Sequence, residues 1–241
     1  FDVRTGTERW RALDDRGQYS APILVQQAGR DVCVVWTGDH VAGLDPLTGG
    51  VHWQIEMTPR NMPIGVATPI VHEDMLFVTS FYDGSLMIRL LQDEIDAEEV
   101  WRICGPSELE TEALHSIIST PLWLGDHIYG VDSHGELRCL DAATGRRVWE
   151  DLSATPKKRW GTVHFVQNGD TTWMFNERGQ LIIARLTPDG FDEVSRADLI
   201  EPTREQLPRG GGVCWAHPAF ANGRVYIRND KELLCASLRE K

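Results

Sequence analysis

Apolar and polar positions alternate along this chain in short runs rich in β-branched and aromatic residues, each bounded by Gly, Asp or Pro. Residues 31–36 and 40–44 are two such runs joined across Gly38-Asp39, a hairpin signal. A run at 19–25 precedes them and one around Trp53 follows, so the pattern predicts four antiparallel strands. The same order recurs at 66–71, 75–80, the Asp83-Gly84 turn, 85–91 and Glu99-Val100-Trp101. It recurs again at 118–123, 127–132, the His134-Gly135 turn, 136–140 and Trp149. A looser fourth copy runs through 161–166, 171–176, the Arg178-Gly179 turn, 180–186 and Glu193-Val194-Ser195, and a fifth through 215–219, 224–229, Asp230-Lys231 and 232–238, with no fourth strand. These runs are too short, and too rich in central Gly and Pro, for helix pairs. The first strand of each copy is predicted as a sheet edge, where Pro22, Pro69, Pro121 and Pro218 are tolerated.

A second periodicity overlies the first. Asp2 to Trp10, Asp45 to Trp53 and Asp141 to Trp149 all read Asp-x-x-Thr-Gly-x-x-x-Trp. Trp10, Trp53, Trp101 and Trp149 are 43, 48 and 48 residues apart, and Ser195 stands 46 beyond the last. A four-stranded unit with a period of roughly 40–50 residues is the signature of a β-propeller. The Gly permits a turn with positive φ, and the Trp is predicted to lie flat between neighbouring blades. Gly6, Trp10, Gly49, Trp53, Trp101, Gly145 and Trp149 are accordingly read as blade-docking residues. The predicted fold is all-β, a single propeller domain over 1–241 with blades at about 19–58, 63–103, 114–151, 160–200 and 214–241. Residues 1–14 are read as the outer strand of a preceding or ring-closing blade. Because the sequence starts in mid-hallmark at Phe1, it reads as part of a seven- or eight-bladed parent.

This repeat resembles the quinoprotein type, the propeller family first known from pyrroloquinoline quinone (PQQ) dehydrogenases. Its tryptophan-docking motif, Ala-x-x-x-Gly-x-x-x-Trp, is matched in part over Ala142 to Trp149, and better by the Asp-x-x-Thr-Gly form quoted above. Two copies depart from it. The one ending at Trp101 has residues 94–97 in place of Thr-Gly, and the one ending at Ser195 has lost its Trp, so weaker blade contacts are expected at both. The resemblance implies a choice between two branches. Dehydrogenases hold PQQ against a vicinal Cys-Cys disulfide and a stacked Trp, with Glu, Asn and Asp around Ca²⁺ and an Asp base. This sequence has no adjacent cysteines, which favours the non-catalytic branch, similar to the periplasmic lipoprotein of the outer-membrane assembly machine. That branch implies no catalytic residues, no cofactor, a protein-interaction or ligand-binding role with an unidentified protein partner, and a periplasmic, cell-envelope or secreted location. The alternative is a PQQ-dependent alcohol or sugar oxidoreductase using PQQ and Ca²⁺ in the central channel.

Composition narrows the partners. A net charge of −12 opposes nucleic acid and anionic membranes, which are bound through excess Lys and Arg. No apolar run approaches the ~20 residues needed to span a bilayer as a helix, and residues 1–30 carry no signal-peptide core. The five cysteines form no C-x-x-C, so neither a zinc nor a redox motif is indicated; Cys33, Cys139 and Cys235 read as small buried hydrophobes.

Aligning the copies on Pro22, Pro69, Pro121, His164 and Pro218 selects a candidate channel mouth. It comprises Tyr19, Thr68, Thr120, Trp160, His164, Trp215 and His217, with Ser20, Ser119 and Thr162 beside them. His115, His164 and His217 fall near corresponding positions in three copies, but their separations of 49 and 53 residues carry no ligand signature, so no metal is assigned. The connections 102–117 and 196–213 are long enough to carry contacts. The second holds Pro202, Pro208 and Gly210-Gly211-Gly212, but no Lys-Ser or Lys-Thr follows to make a phosphate loop. Lys157-Lys158-Arg159-Trp160 is a basic, aromatic patch suited to an acidic partner.

Overall fold

The computed structural model describes residues 1–207 and 211–239, and the described chain is all-β. Five antiparallel sheets follow one another, each built in chain order with its first strand at one edge. The first holds β1 (Ile23–Gln27), β2 (Arg30–Trp36), β3 (His40–Leu44) and β4 (Val51–Glu56), and the second β5 (Ile70–His72), β6 (Met75–Ser80), β7 (Gly84–Leu90) and β8 (Ala97–Ile103). The third holds β9 (Leu122–Leu124), β10 (His127–Val131), β11 (Leu137–Asp141) and β12 (Arg147–Asp151). The fourth holds β13 (Val163–Asn168), β14 (Thr171–Asn176), β15 (Gln180–Thr187) and β16 (Gly190–Asp198), and the fifth β17 (Ala219–Ala221), β18 (Arg224–Arg228) and β19 (Leu233–Ser237). This is the β-propeller blade pattern. The chain, read above as one domain, divides into two compact units, Phe1–Ile117 with Ala143–Arg146 and Ile118–Ala142 with Arg147–Lys241.

One expectation is corrected. Pro22, Pro69, Pro121 and Pro218 do not lie within the first strands but immediately before them, where the missing N–H interrupts no ladder. Residues 1–14 precede the first sheet and pair with none of the described strands. Their Asp2-to-Gly6 turn is built like Asp45 to Gly49, and shows why the hallmark begins with Asp. Asp2 Oδ1 accepts from Arg4 N and Thr5 N, as Asp45 Oδ1 accepts from Leu47 N and Thr48 N. In each turn the Gly, at φ 71° and 75°, donates its N–H back to the Asp carbonyl.

The hallmark tryptophans reach forward to the next copy. Trp10 lies against Gly49, where an added Cβ would come within 2.5 Å of its ring, and its Nε1 donates to the Pro46 carbonyl at 3.1 Å. The Trp101 ring covers Gly145 in the same way, at 2.8 Å, and Trp149 Nε1 donates to the Thr187 carbonyl at 2.9 Å. Each indole is thus received by the turn joining the third and fourth strands of the following copy. It follows that the missing Thr-Gly at 94–97 affects Trp53 and leaves Trp101 docked, and that the weaker contact expected at Trp101 has to be looked for one copy earlier. There a buried side chain bridges the gap: Trp53 Nε1 donates to Gln27 Oε1 at 3.0 Å, and Gln27 Nε2 donates to the Asp96 carbonyl at 2.5 Å.

The lost Trp at Ser195 is offset differently. Cross-strand partners line up as Phe77–Met87–Trp101, Tyr129–Cys139–Trp149 and Trp173–Ile183–Ser195. In the fourth sheet the large ring therefore sits on the second strand, where Trp173 meets Phe220 edge-on with ring centres 5.2 Å apart.

Each unit buries its own core. In the first, Val32, Val34, Trp36 and Val41 pack with Leu76, Val78, Leu86 and Ile88; in the second, Tyr129, Leu137 and Cys139 pack with Met174, Ile182 and Ala184. The second unit also buries Arg138, which donates to Asp132 at 2.8 Å and Glu136 at 3.0 Å, while Lys157 pairs with the other oxygen of Glu136 at 2.8 Å.

Gln27→Ala leaves the Trp53 indole N–H without its acceptor and removes one of the two donors to the Asp96 carbonyl, which keeps its bond from Leu91 N, and is expected to cost ~1–3 kcal/mol in urea unfolding. Arg138→Met removes the buried guanidinium that pairs with Asp132 and Glu136 and is expected to cost ~3–5 kcal/mol in the same assay.

Candidate functional site

The structure gathers four of the predicted site residues in the second unit, around a fifth that the sequence did not flag. His164, on β13, is buried; its Nε2 lies 2.9 Å from the Trp215 carbonyl, which can only accept, so Nε2 carries the proton. His217 sits beside it with ring centres 4.6 Å apart, and its Nδ1 donates to the Pro218 carbonyl at 2.8 Å. Trp160 meets Trp215 edge-on at 6.3 Å. Trp160 is held at φ 70° by its N–H bond to the Ser133 carbonyl, an uncommon conformation for a bulky residue. Thr162 Oγ1 donates to the Trp160 carbonyl, and Ser119 Oγ accepts from Val163 N. Both hydroxyls therefore brace backbone.

The fifth residue is Glu177, 1% exposed, in the turn between β14 and β15. Its N–H donates to the Thr162 carbonyl and its own carbonyl accepts from Cys214 N, which ties the turn to the segments carrying Trp160 and Trp215. Its Oε1 and the Trp215 Nε1 are both buried with no hydrogen-bond partner among the described residues. Burial pushes the Glu177 carboxyl up to about 6, against the opposing pull of the Lys158 and Arg178 charges. Burial likewise pushes His164 down to about 4, with the Trp215 carbonyl opposing and His217 adding to the shift. At neutral pH the second unit therefore buries a neutral imidazole at His164 and a carboxylate at Glu177. Sequence offered little signal for Glu177, because an acid before a Gly turn is ordinarily solvated.

The remaining predicted residues lie elsewhere. Tyr19 is 74% exposed and Thr68 half-buried, both in the first unit, where Ser20 Oγ donates to the Ala67 carbonyl; Thr120 is half-buried in the second. His115 belongs to the first unit and uses both nitrogens on backbone, donating from Nδ1 to the Phe81 carbonyl and accepting at Nε2 from Gly105 N. It braces a loop and has no lone pair left for a metal. The basic patch is partly consumed internally. Lys157 pairs with Glu136, and the Arg159 guanidinium stacks 4.9 Å over Trp160. In the 196–213 connection, residues 196–198 belong to β16. A Cβ on Gly212 would come within 2.6 Å of the Thr203 carbonyl, so that glycine serves a close approach of the chain to itself. Pro208 and Gly210 lie outside the described residues.

Clefts open among the described residues of the second unit. One of 370 Å³ is lined by Arg178, Gln180, Asp198, Glu201 and Glu232, and one of 290 Å³ by Val166, Trp173, Phe220, Arg224 and Leu238. The five thiols are free and separate, with Cys235 exposed where a buried position was expected, and among the described residues no group of three or more His, Cys, Asp or Glu could hold a metal ion.

The raised Glu177 pKa sets a pH signature. A carboxyl at about 6 when folded and near 4.5 when unfolded contributes stability below pH 4.5 that is lost as pH rises through 6. Glu177→Gln is therefore expected to gain about 2 kcal/mol relative to wild type between pH 4.5 and pH 7.5, read by urea unfolding at each pH.

Comparison with known proteins agrees with this architecture. Residues 1–151 match the family model described as outer membrane protein assembly factor BamB. No curated protein sequence matches significantly. The fold is similar to that of BamB from Moraxella catarrhalis, at 16% identity and TM-score 0.58, covering 91% of this chain and 58% of that one. It is also similar to quinohemoprotein alcohol dehydrogenase ADHIIG from Pseudomonas putida HK5, at 13% identity and TM-score 0.57, covering 95% and 43%. A third likeness is to the Cps50 (Swd1) β-propeller domain of Myceliophteria thermophila, at 13% identity and TM-score 0.56, covering 89% and 69%. The chain thus spans less than two thirds of the BamB structure. Matched over more than half its length, and carrying docking tryptophans that its own turns receive, this chain belongs to the BamB family of PQQ-like repeat β-propellers.

Proposed function

We propose that this protein is a non-catalytic propeller of the cell envelope that holds a protein partner during outer-membrane protein assembly. The donor inventory carries this reading. The chain keeps the indole-to-turn contacts that make the scaffold, yet has no adjacent cysteines to seat PQQ, and its five thiols stand free at separate places. Family membership supports the role, because the matched model is described as an assembly factor. The acidic surface suits a protein partner better than nucleic acid.

Incubation with PQQ and Ca²⁺, followed by dye-linked oxidation of alcohols and sugars, is expected to give no turnover; turnover would establish the oxidoreductase alternative. In envelope preparations, crosslinking is expected to join the protein to an outer-membrane assembly component. Recovery of uncrosslinked protein alone would count against the scaffold.

A further inference from the structure

The histidine pair His164–His217 is used by neither the scaffold reading nor the docking contacts. Each ring donates one N–H to a backbone carbonyl, His164 through Nε2 to Trp215 and His217 through Nδ1 to Pro218. Because a carbonyl cannot donate, these bonds fix both tautomers. His164 Nδ1 and His217 Nε2 are left as lone-pair nitrogens to which no described group donates. An imidazole whose other nitrogen donates to a backbone carbonyl is the usual state of a metal-ligating histidine, since that bond orients the ring and raises its basicity.

The distances permit a shared ion. Zn–N bonds of ~2.0–2.1 Å allow the two ligating nitrogens to be at most ~4.2 Å apart, a span within reach of rings whose centres are 4.6 Å apart and tilted by 49°. Their positions also differ usefully, His164 being buried on β13 and His217 exposed. One ligand is thus rigid, and the other sits at the surface, where water or a partner's side chain can complete the coordination. The His115 ring takes no part, since both of its nitrogens are engaged.

We propose that His164 and His217 form an open two-histidine site for a divalent transition-metal ion that favours imidazole, with Cu²⁺ held more tightly than Zn²⁺. The order of the two ions follows the general preference of nitrogen sites. Calorimetric titration of the tag-free protein with Zn²⁺ and Cu²⁺ tests it. The expected result is one saturable site for each ion, with the Cu²⁺ form showing nitrogen hyperfine structure from two imidazoles in its EPR spectrum. His217→Ala removes only an exposed side chain and is expected to weaken binding at least ~10-fold, the lower end of what loss of an outer-shell partner alone costs. His52→Ala, a histidine on β4, is expected to leave binding unchanged. Absence of saturable binding, or a His217→Ala variant that binds both ions as wild type does, would overturn the proposal even where His164→Ala proves too unstable to study.

Discussion

The structure depends on one repeated contact, an indole laid against the following copy, with the Trp10 and Trp149 N–H groups directed at carbonyls there and the Trp53 N–H relayed through Gln27. A four-stranded sheet of this size has two apolar faces and cannot bury both alone. A tryptophan supplies ~150–250 Å² of apolar surface at the place where the next sheet must meet it. Its N–H gives the contact direction, because a buried donor has to find an acceptor. The glycine below the ring is required twice over, for its positive φ and for the absence of a Cβ. The hallmark aspartate holds the turn in shape by accepting from its free amides.

Where the hallmark fails, the contact is rebuilt by chemistry that no motif encodes. Gln27 carries both a donor and an acceptor, and so can pass the Trp53 N–H on to a turn that lacks Thr-Gly. At the fourth sheet, Trp173 supplies from the second strand the ring that Ser195 cannot supply from the fourth. Both are local solutions to the same packing demand.

The putting together of Trp160, His164, Trp215, His217 and Glu177 is of another kind. Here ordered backbone bonds hold polar and aromatic side chains in a place that removes water from a carboxylate and an imidazole. Burial then shifts the two in opposite senses, raising the acid and lowering the base, because each is pushed towards its neutral form. The non-catalytic reading and the histidine pair rest on different atoms of the chain, the thiols and the imidazole nitrogens, and so stand or fall separately.

The sequence by itself determined the strand order and the period, and pointed to the hallmark tryptophans, because a two-residue alternation and a Thr-Gly-to-Trp spacing are local and survive without knowledge of neighbours. It also singled out Trp160, His164, Trp215 and His217, by aligning copies that share one backbone path. It misplaced the prolines by a few residues, since a strand start and a strand interior look alike in composition. Only the tertiary structure decided which turn receives which indole, that Gln27 relays one of them, that His115 is spent on backbone, and that Glu177 is buried. Each of these depends on contacts between residues far apart in the chain, where burial and hydrogen-bond partners are set by what packs opposite and not by the residues alongside.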